Sequence, residues 1–165
     1  MSAFVIDAFE LCRAKGRLVG EFKLTELPRL AQESVGGVGI VRWSLQGDVD
    51  KRGHSKLMLS VSGSVQLSCQ RCLAPLEFEV QSDSKLALAQ DEASADEMDD
   101  LLSDESIEVV VGSKAFNIQE LIEDEALLAI PSSPKHDSCS SQALPGDDFE
   151  VGKASPFAVL KELKQ

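Results

Sequence analysis

The chain of 165 residues contains no tyrosine, one tryptophan and two histidines, so phenol and imidazole groups for proton transfer are scarce. It also lacks a glycine-rich phosphate loop and the Gly-x-Ser-x-Gly elbow of hydrolases. These gaps argue against catalysis and leave binding as the expected chemistry, with no small-molecule substrate. No apolar run approaches the ~18 residues that span a bilayer. Asp7 and Glu10 stand where a secretory leader would be basic and then apolar. A cytoplasmic location with no membrane partner is therefore expected. In a reducing cytosol the cysteines, Cys12, Cys69, Cys72 and Cys139, read as thiols or ligands and not as structural disulfides. Cys12, inside an N-terminal helical pattern, reads as a small buried apolar residue.

Basic residues are scarce in the second half. Residues 1–75 hold 10 Lys and Arg against 7 Asp and Glu, whereas residues 76–165 hold 6 against 21, within a net charge of −12. Such an acidic surface repels phosphate over much of its area, so tight, sequence-independent nucleic-acid binding by charge alone is not expected, and a basic protein partner suits the acidic half. The plainer reading is that the acids keep the chain soluble.

With 43% hydrophobic residues the chain can build a core, and its length fits one domain. Asp7 caps an expected helix through Lys15, and Leu24 to Gln32 offers another short one with Pro28 near its start. Alternation is clearer in Val41, Trp43 and Leu45, and in Leu57 to Leu67, which read as strands joined by a polar turn at 48–53. Gly63 is expected to mark a bulge. Leu76, Phe78 and Val80 begin the next strand, extended by Leu86 and Leu88. Asp91 to Glu105 carries eight acids and no base and is expected to be a mobile loop. Ile107 to Val111 returns to the sheet as a strand. Asn117 caps the clearest helix, which runs to Pro131; Glu125 lies at the edge of its apolar stripe and is expected to reach water. The fold class is thus α+β: an antiparallel sheet of short strands, one well-defined helix and long polar loops. Residues 1–130 form that domain, and residues 131–165 follow as an irregular Pro-, Ser- and Gly-rich segment ending in a short helix from Ser155 to Leu163.

Cys69-Gln-Arg-Cys72 is the sharpest motif. With His136 and Cys139 it offers the four soft or borderline ligands of a closed structural zinc site. The gap of some sixty residues between the pairs leaves the fold to bring them together. A rival reading makes Cys69 and Cys72 a thiol–disulfide redox pair, against which stands their strand-to-strand setting. A third reading leaves the first pair as a turn remnant and the second as loop. His54 reads as a solvated hairpin residue, and the Glu123-Asp124-Glu125 run as a helix face, not a divalent-metal site. Candidate RNA or partner contacts are Lys51, Arg52, His54, Lys56 and Arg71, near strand ends or turns. Trp43 and Phe78 could stack on bases, but their alternating positions favour the core.

Three segments together resemble the YceD family of bacterial and plastid proteins: Leu67-Ser-Cys-Gln-Arg-Cys-Leu-Ala-Pro75, Glu123-Asp-Glu-Ala-Leu-Leu-Ala-Ile-Pro131 leading to Pro134-Lys-His136, and Pro156-Phe-Ala-Val-Leu160. The resemblance implies a non-enzymatic factor for synthesis, processing or stability of the 23S rRNA in large-subunit biogenesis, binding that RNA or a basic ribosomal protein. Some relatives carry a second cysteine cluster after the helix, where this chain keeps only His136 and Cys139. A zinc-stabilised interaction module unrelated to ribosomes is the alternative.

Overall fold

The computed structural model describes residues 4–103 and 106–139. Five strands form one sheet in the order β2 (Arg17–Lys23), β3 (Ile40–Val49), β4 (Ser55–Ser68), β5 (Pro75–Ala89) and β6 (Glu108–Val111). A two-stranded ribbon pairs β1 (Val5–Ile6) with β7 (Phe116–Asn117). Four α-helices complete the described chain: α1 (Ala8–Arg13), α2 (Pro28–Glu33), α3 (Glu92–Leu102) and α4 (Ile118–Ala129). The α+β class expected from alternation is therefore found, with longer strands and more helices than the sequence suggested.

Period-two patterning decides which sheet face is buried. Phe22, Val41, Trp43, Leu45, Leu59, Val61 and Val65 point to one side, where α1, α2 and α4 cover them with Cys12, Leu30, Ile122 and Ala126. The opposite face carries polar rows in register, such as Glu21, Arg42, Ser62 and Gln81. Trp43 is stacked on Phe22 at 5.8 Å and only 8% exposed, and Phe78 packs against the same core, so neither ring lies free on the open face.

Gly63 is not a bulge. It pairs with Val41 on one side and Val80 on the other in unbroken register. A Cβ there would meet the Ile40 carbonyl oxygen at 2.6 Å, so the glycine serves close strand approach.

Most of the acidic stretch expected to be a mobile loop, Glu92–Leu102, is α3, while residues 104–105 of it lie outside the described residues. The strand β6 runs parallel to β5, and a parallel pair needs a crossover element between its strands. Asp91 starts the helix, its carboxylate accepting from Ser94 N at 2.8 Å while Ser94 Oγ accepts from Asp91 N at 3.1 Å. Ala95, Met98 and Leu102 recur on one helical face and pack on Ala87, Ala89 and Val109, over one corner of the otherwise open sheet face. Average composition hid this narrow stripe beneath the acids.

Candidate metal centre

At one end of the long β4–β5 hairpin the chain reverses through Cys69–Ala74. Cys69 N donates to Ala74 O at 3.0 Å, and Leu73 N donates to Cys69 O at 2.9 Å. Closing so tight a turn puts Leu73 at φ 59°, a left-handed conformation that ordinarily favours glycine. Leu73 is also 76% exposed, so the turn presents an apolar tip.

The second half of the cluster arrives from α4. Asn117 caps this helix by accepting from Gln119 N, and Ile122 and Ala126 are fully buried beneath it. Two carboxylates fix its position. Glu123, only 3% exposed, accepts from Arg29 N at 2.7 Å, Leu30 N at 3.1 Å and Arg29 Nε at 3.0 Å, and so caps the start of α2. Glu125 does not reach water as its place on the stripe suggested; it is buried and accepts from the Ser82 and Ser84 hydroxyls of β5. Serines on the core face of a strand gave the missing signal, because they supply donors to a carboxylate there.

After Ile130 the chain leaves the helix, and residues 131–139 cross the turn without regular structure. Gln70 N donates to Pro134 O at 2.8 Å, tying this arm to the turn. Cys69 Sγ then lies 3.7 Å from Cys139 Sγ, and Cys72 Sγ lies 3.3 Å from His136 Nδ1. All four donor atoms fall within 4.8 Å of one another. A tetrahedron with zinc–sulfur bonds of about 2.3 Å and zinc–nitrogen bonds of about 2.0 Å has edges of roughly 3.5–3.8 Å. The cluster is thus slightly looser than a filled site and has the donor chemistry of one.

The surroundings supply what such ligands need. His136 Nε2 lies 3.2 Å from Pro75 O, which can only accept, so Nε2 donates there and Nδ1 is the ring nitrogen that faces the sulfurs. Cys69 is buried, and Arg71 N and His136 N both point at its Sγ at 3.5 Å. Burial pushes the Cys69 thiol up, but the N–H groups of Cys72, His136 and Arg71 and the Cys72 thiol outweigh it and hold the group at about 5. Burial raises Cys139, and the adjacent Cys69 and Cys72 sulfurs raise it further. One sulfur, Cys69, is therefore ready to act as thiolate, while Cys139 keeps its proton until a cation replaces it. Cys69 and Cys72 sit between two strands and not at a helix N-terminus, so the helix-dipole activation of thioredoxin-type pairs is lacking here.

The cationic candidates separate. Lys51 and Arg52 are exposed on the β3–β4 turn, where Asp50 binds Lys56 at 3.4 Å and His54 at 3.3 Å. Arg71 is exposed at the opposite end of β4, and a strand of 14 residues spans roughly 45 Å. Arg71 therefore adjoins the Cys/His cluster, not the other cations. The expected Ser155–Leu163 helix lies outside the described residues. Among the described residues no helix is long and apolar enough to cross a membrane.

No solved structure matches the chain. A protein from Haemophilus influenzae named large ribosomal RNA subunit accumulation protein YceD is 29% identical to it, over 97% of this chain and 94% of the relative. The family model of the same description matches residues 57–164, from β4 through the cysteine turn, α3, α4 and the arm. The chain belongs to the YceD family.

Proposed function

We propose that this protein promotes accumulation of the 23S rRNA during large-subunit biogenesis, as a cytoplasmic binding factor and not an enzyme. The observation that carries this reading is family membership across residues 57–164, together with a relative of the same name aligned along nearly its whole length. The described aromatic rings named above belong to the core, which favours contact through phosphates over base stacking. Lys51, Arg52 and Lys56 form one phosphate-contacting end and Arg71 the other. The exposed carboxylates of α3, Asp96, Glu97, Asp99 and Asp100, suit a basic ribosomal protein.

Cys69, Cys72, His136 and Cys139 hold a structural zinc in this reading. The ion would neutralise the clustered thiolates and bind the arm to the hairpin. Four protein donors leave no open coordination position, so such a metal stabilises and does not catalyse.

Depletion of the protein from cells, followed by sucrose-gradient profiles and mapping of 23S precursor ends, tests the ribosomal role. Loss of free large subunits and their RNA is expected; an unchanged profile refutes it and leaves an interaction module unrelated to ribosomes. Elemental analysis of protein produced with zinc available should find one equivalent, and metal-free protein would refute the zinc assignment.

A further inference from the structure

The four-ligand cluster carries a second chemistry, one that rests on the metal reading above. Cys69 and Cys139 come from segments 70 residues apart, yet their sulfurs stand 3.7 Å from one another. A disulfide of about 2.05 Å needs less than 2 Å of closure, within the reach of a side-chain rotation. The two thiols differ in access: Cys69 is fully buried, whereas Cys139 is partly exposed. Cys139, like Cys72, is open to a small oxidant from solvent, and the buried Cys69 sulfur lies 3.7 Å from that of Cys139. Cys72 has another neighbour, with its Sγ on His136 Nδ1 at 3.3 Å.

We propose that Cys69 and Cys139 form an oxidation site for hydroperoxides, at which a disulfide replaces the metal as the clamp between the β4–β5 turn and the arm. The Cys139 thiolate attacks one peroxide oxygen, breaking the O–O bond to give a sulfenic acid and hydroxide. The Cys69 thiolate then attacks that sulfur, forming the S–S bond and expelling a second hydroxide. Two electrons pass from the two sulfurs to the peroxide, and two protons from solvent convert the hydroxides to water. The zinc loses two of its four donors and both of their negative charges. Left with Cys72 and His136, it dissociates as the divalent ion.

The consequence differs from that of ordinary oxidative zinc release. The new bond joins the same two segments that the metal joined, and the Gln70 N to Pro134 O hydrogen bond lies between them. The oxidised protein keeps its arm in place without metal. A disulfide between Cys69 and Cys72 would instead close within one turn and free the arm.

The test uses the full chain, reduced and zinc-loaded, treated with equimolar hydrogen peroxide. Zinc release is followed with a colorimetric chelator, disulfides are mapped in unreduced peptides, and trypsin probes the bond after Lys135. One zinc should leave per disulfide, and the linked peptides should be those bearing Cys69 and Cys139, also in Cys12→Ser. The oxidised form should resist cleavage after Lys135 as the metal-loaded form does, while reduced, chelated protein is cut. A Cys69–Cys72 link, rapid cutting of the oxidised form, or zinc retained under excess peroxide overturns the inference and leaves the metal reading intact. Reduced protein that takes up no zinc overturns the metal reading, and metal expulsion with it.

Discussion

Replacing Glu123 by alanine should be one of the most damaging single changes on α4, although this residue is not among the four of the Cys/His cluster. Its side chain is 4% exposed and one oxygen accepts from both Arg29 N and Leu30 N, the first two donors after Pro28 in α2. Those N–H groups have no intrahelical partner at a helix start. Each would be left without its charged acceptor, at about 1–1.5 kcal/mol apiece, giving a loss of roughly 2–3 kcal/mol. Arg29 also meets Asp124 at 2.6 Å, but there the carboxylate is 56% exposed and the guanidinium 49%. Such solvated pairs contribute little, so Asp124→Ala is the matched control, removing a carboxylate from the same arginine without disturbing the cap. Trp43, the single tryptophan, is stacked on Phe22 in the core and reports unfolding by fluorescence. In urea with a slope of about 2 kcal/mol per molar, the Glu123→Ala midpoint should fall by more than ~1 M while that of Asp124→Ala barely moves. Equal shifts for the two variants would refute the argument that buried capping, and not charge pairing with Arg29, makes Glu123 matter.

Other perturbations read different parts of the molecule. Leu73→Gly should raise stability by about 1 kcal/mol, because it relieves a left-handed residue whose exposed side chain packs on little; an unchanged or lowered urea midpoint would show that this leucine has a contact worth more than its strain. Gly63→Ala should lower the midpoint, since its Cβ would stand 2.6 Å from the Ile40 carbonyl with backbone on the opposing side, and the drop should appear in the same fluorescence assay. Around Asp50, burial raises the carboxyl but the His54 and Arg52 N–H groups and the nearby cations outweigh it, so it titrates below its ordinary 3.8. A depressed acid stabilises the fold above its ordinary range and loses that contribution as pH falls through the folded value. Amide exchange at Gly53 and His54 should therefore accelerate only under strongly acidic conditions, and acceleration already at pH 5 would contradict the assignment. Chelation of zinc should expose the bond after Lys135 to trypsin while amides of β4 stay protected; simultaneous loss of both would place the metal in the core's stability and not in the arm's.

Legibility followed the chemistry of each segment. Alternation exposed β3, β4 and β5 because one sheet face is dry and the other wet, and Asn117 announced α4 because a cap has a fixed position relative to its helix. The strand β2 was missed: Arg17 to Lys23 contains Gly20 and an exposed Val19, as an edge strand can, and its alternation is diluted accordingly. The helix α3 was missed because charge density was averaged over 15 residues, although only three apolar positions at helical spacing decide whether it docks. The four cluster residues were nameable from their donor chemistry, whereas the supports at Pro75 O, Pro134 O and Gln70 N are backbone groups that no side-chain type announces.

The sixty-residue gap that makes the cluster hard to read in sequence is resolved by where α4 is pinned. Glu125 is held by Ser82 and Ser84 in the middle of β5, and Glu123 by the start of α2, so the helix can neither slide along the sheet nor rotate on it. With its register fixed, Leu127, Ile130 and Pro131 fall beside Leu67, Ser68 and Gln70, at the end of the hairpin that carries the cysteine turn. Proline at 131 cannot continue the helical hydrogen bonding, and Pro134 favours extended backbone before it, so the arm is delivered across the turn in few conformations. Two buried carboxylates on one helix thus set the geometry of a candidate metal centre whose side chains they do not supply. It follows that Glu125→Gln, which keeps the side chain's size but weakens its hold on two serine hydroxyls, should lower zinc affinity before it lowers the fraction of folded protein. Metal titration against a competing chelator, with circular dichroism on the same samples, separates those quantities. Affinity and fold falling together would mean that the helix's position on the sheet and the sheet's own stability are one property, and that the arm is aimed by the whole core and not by the two pins.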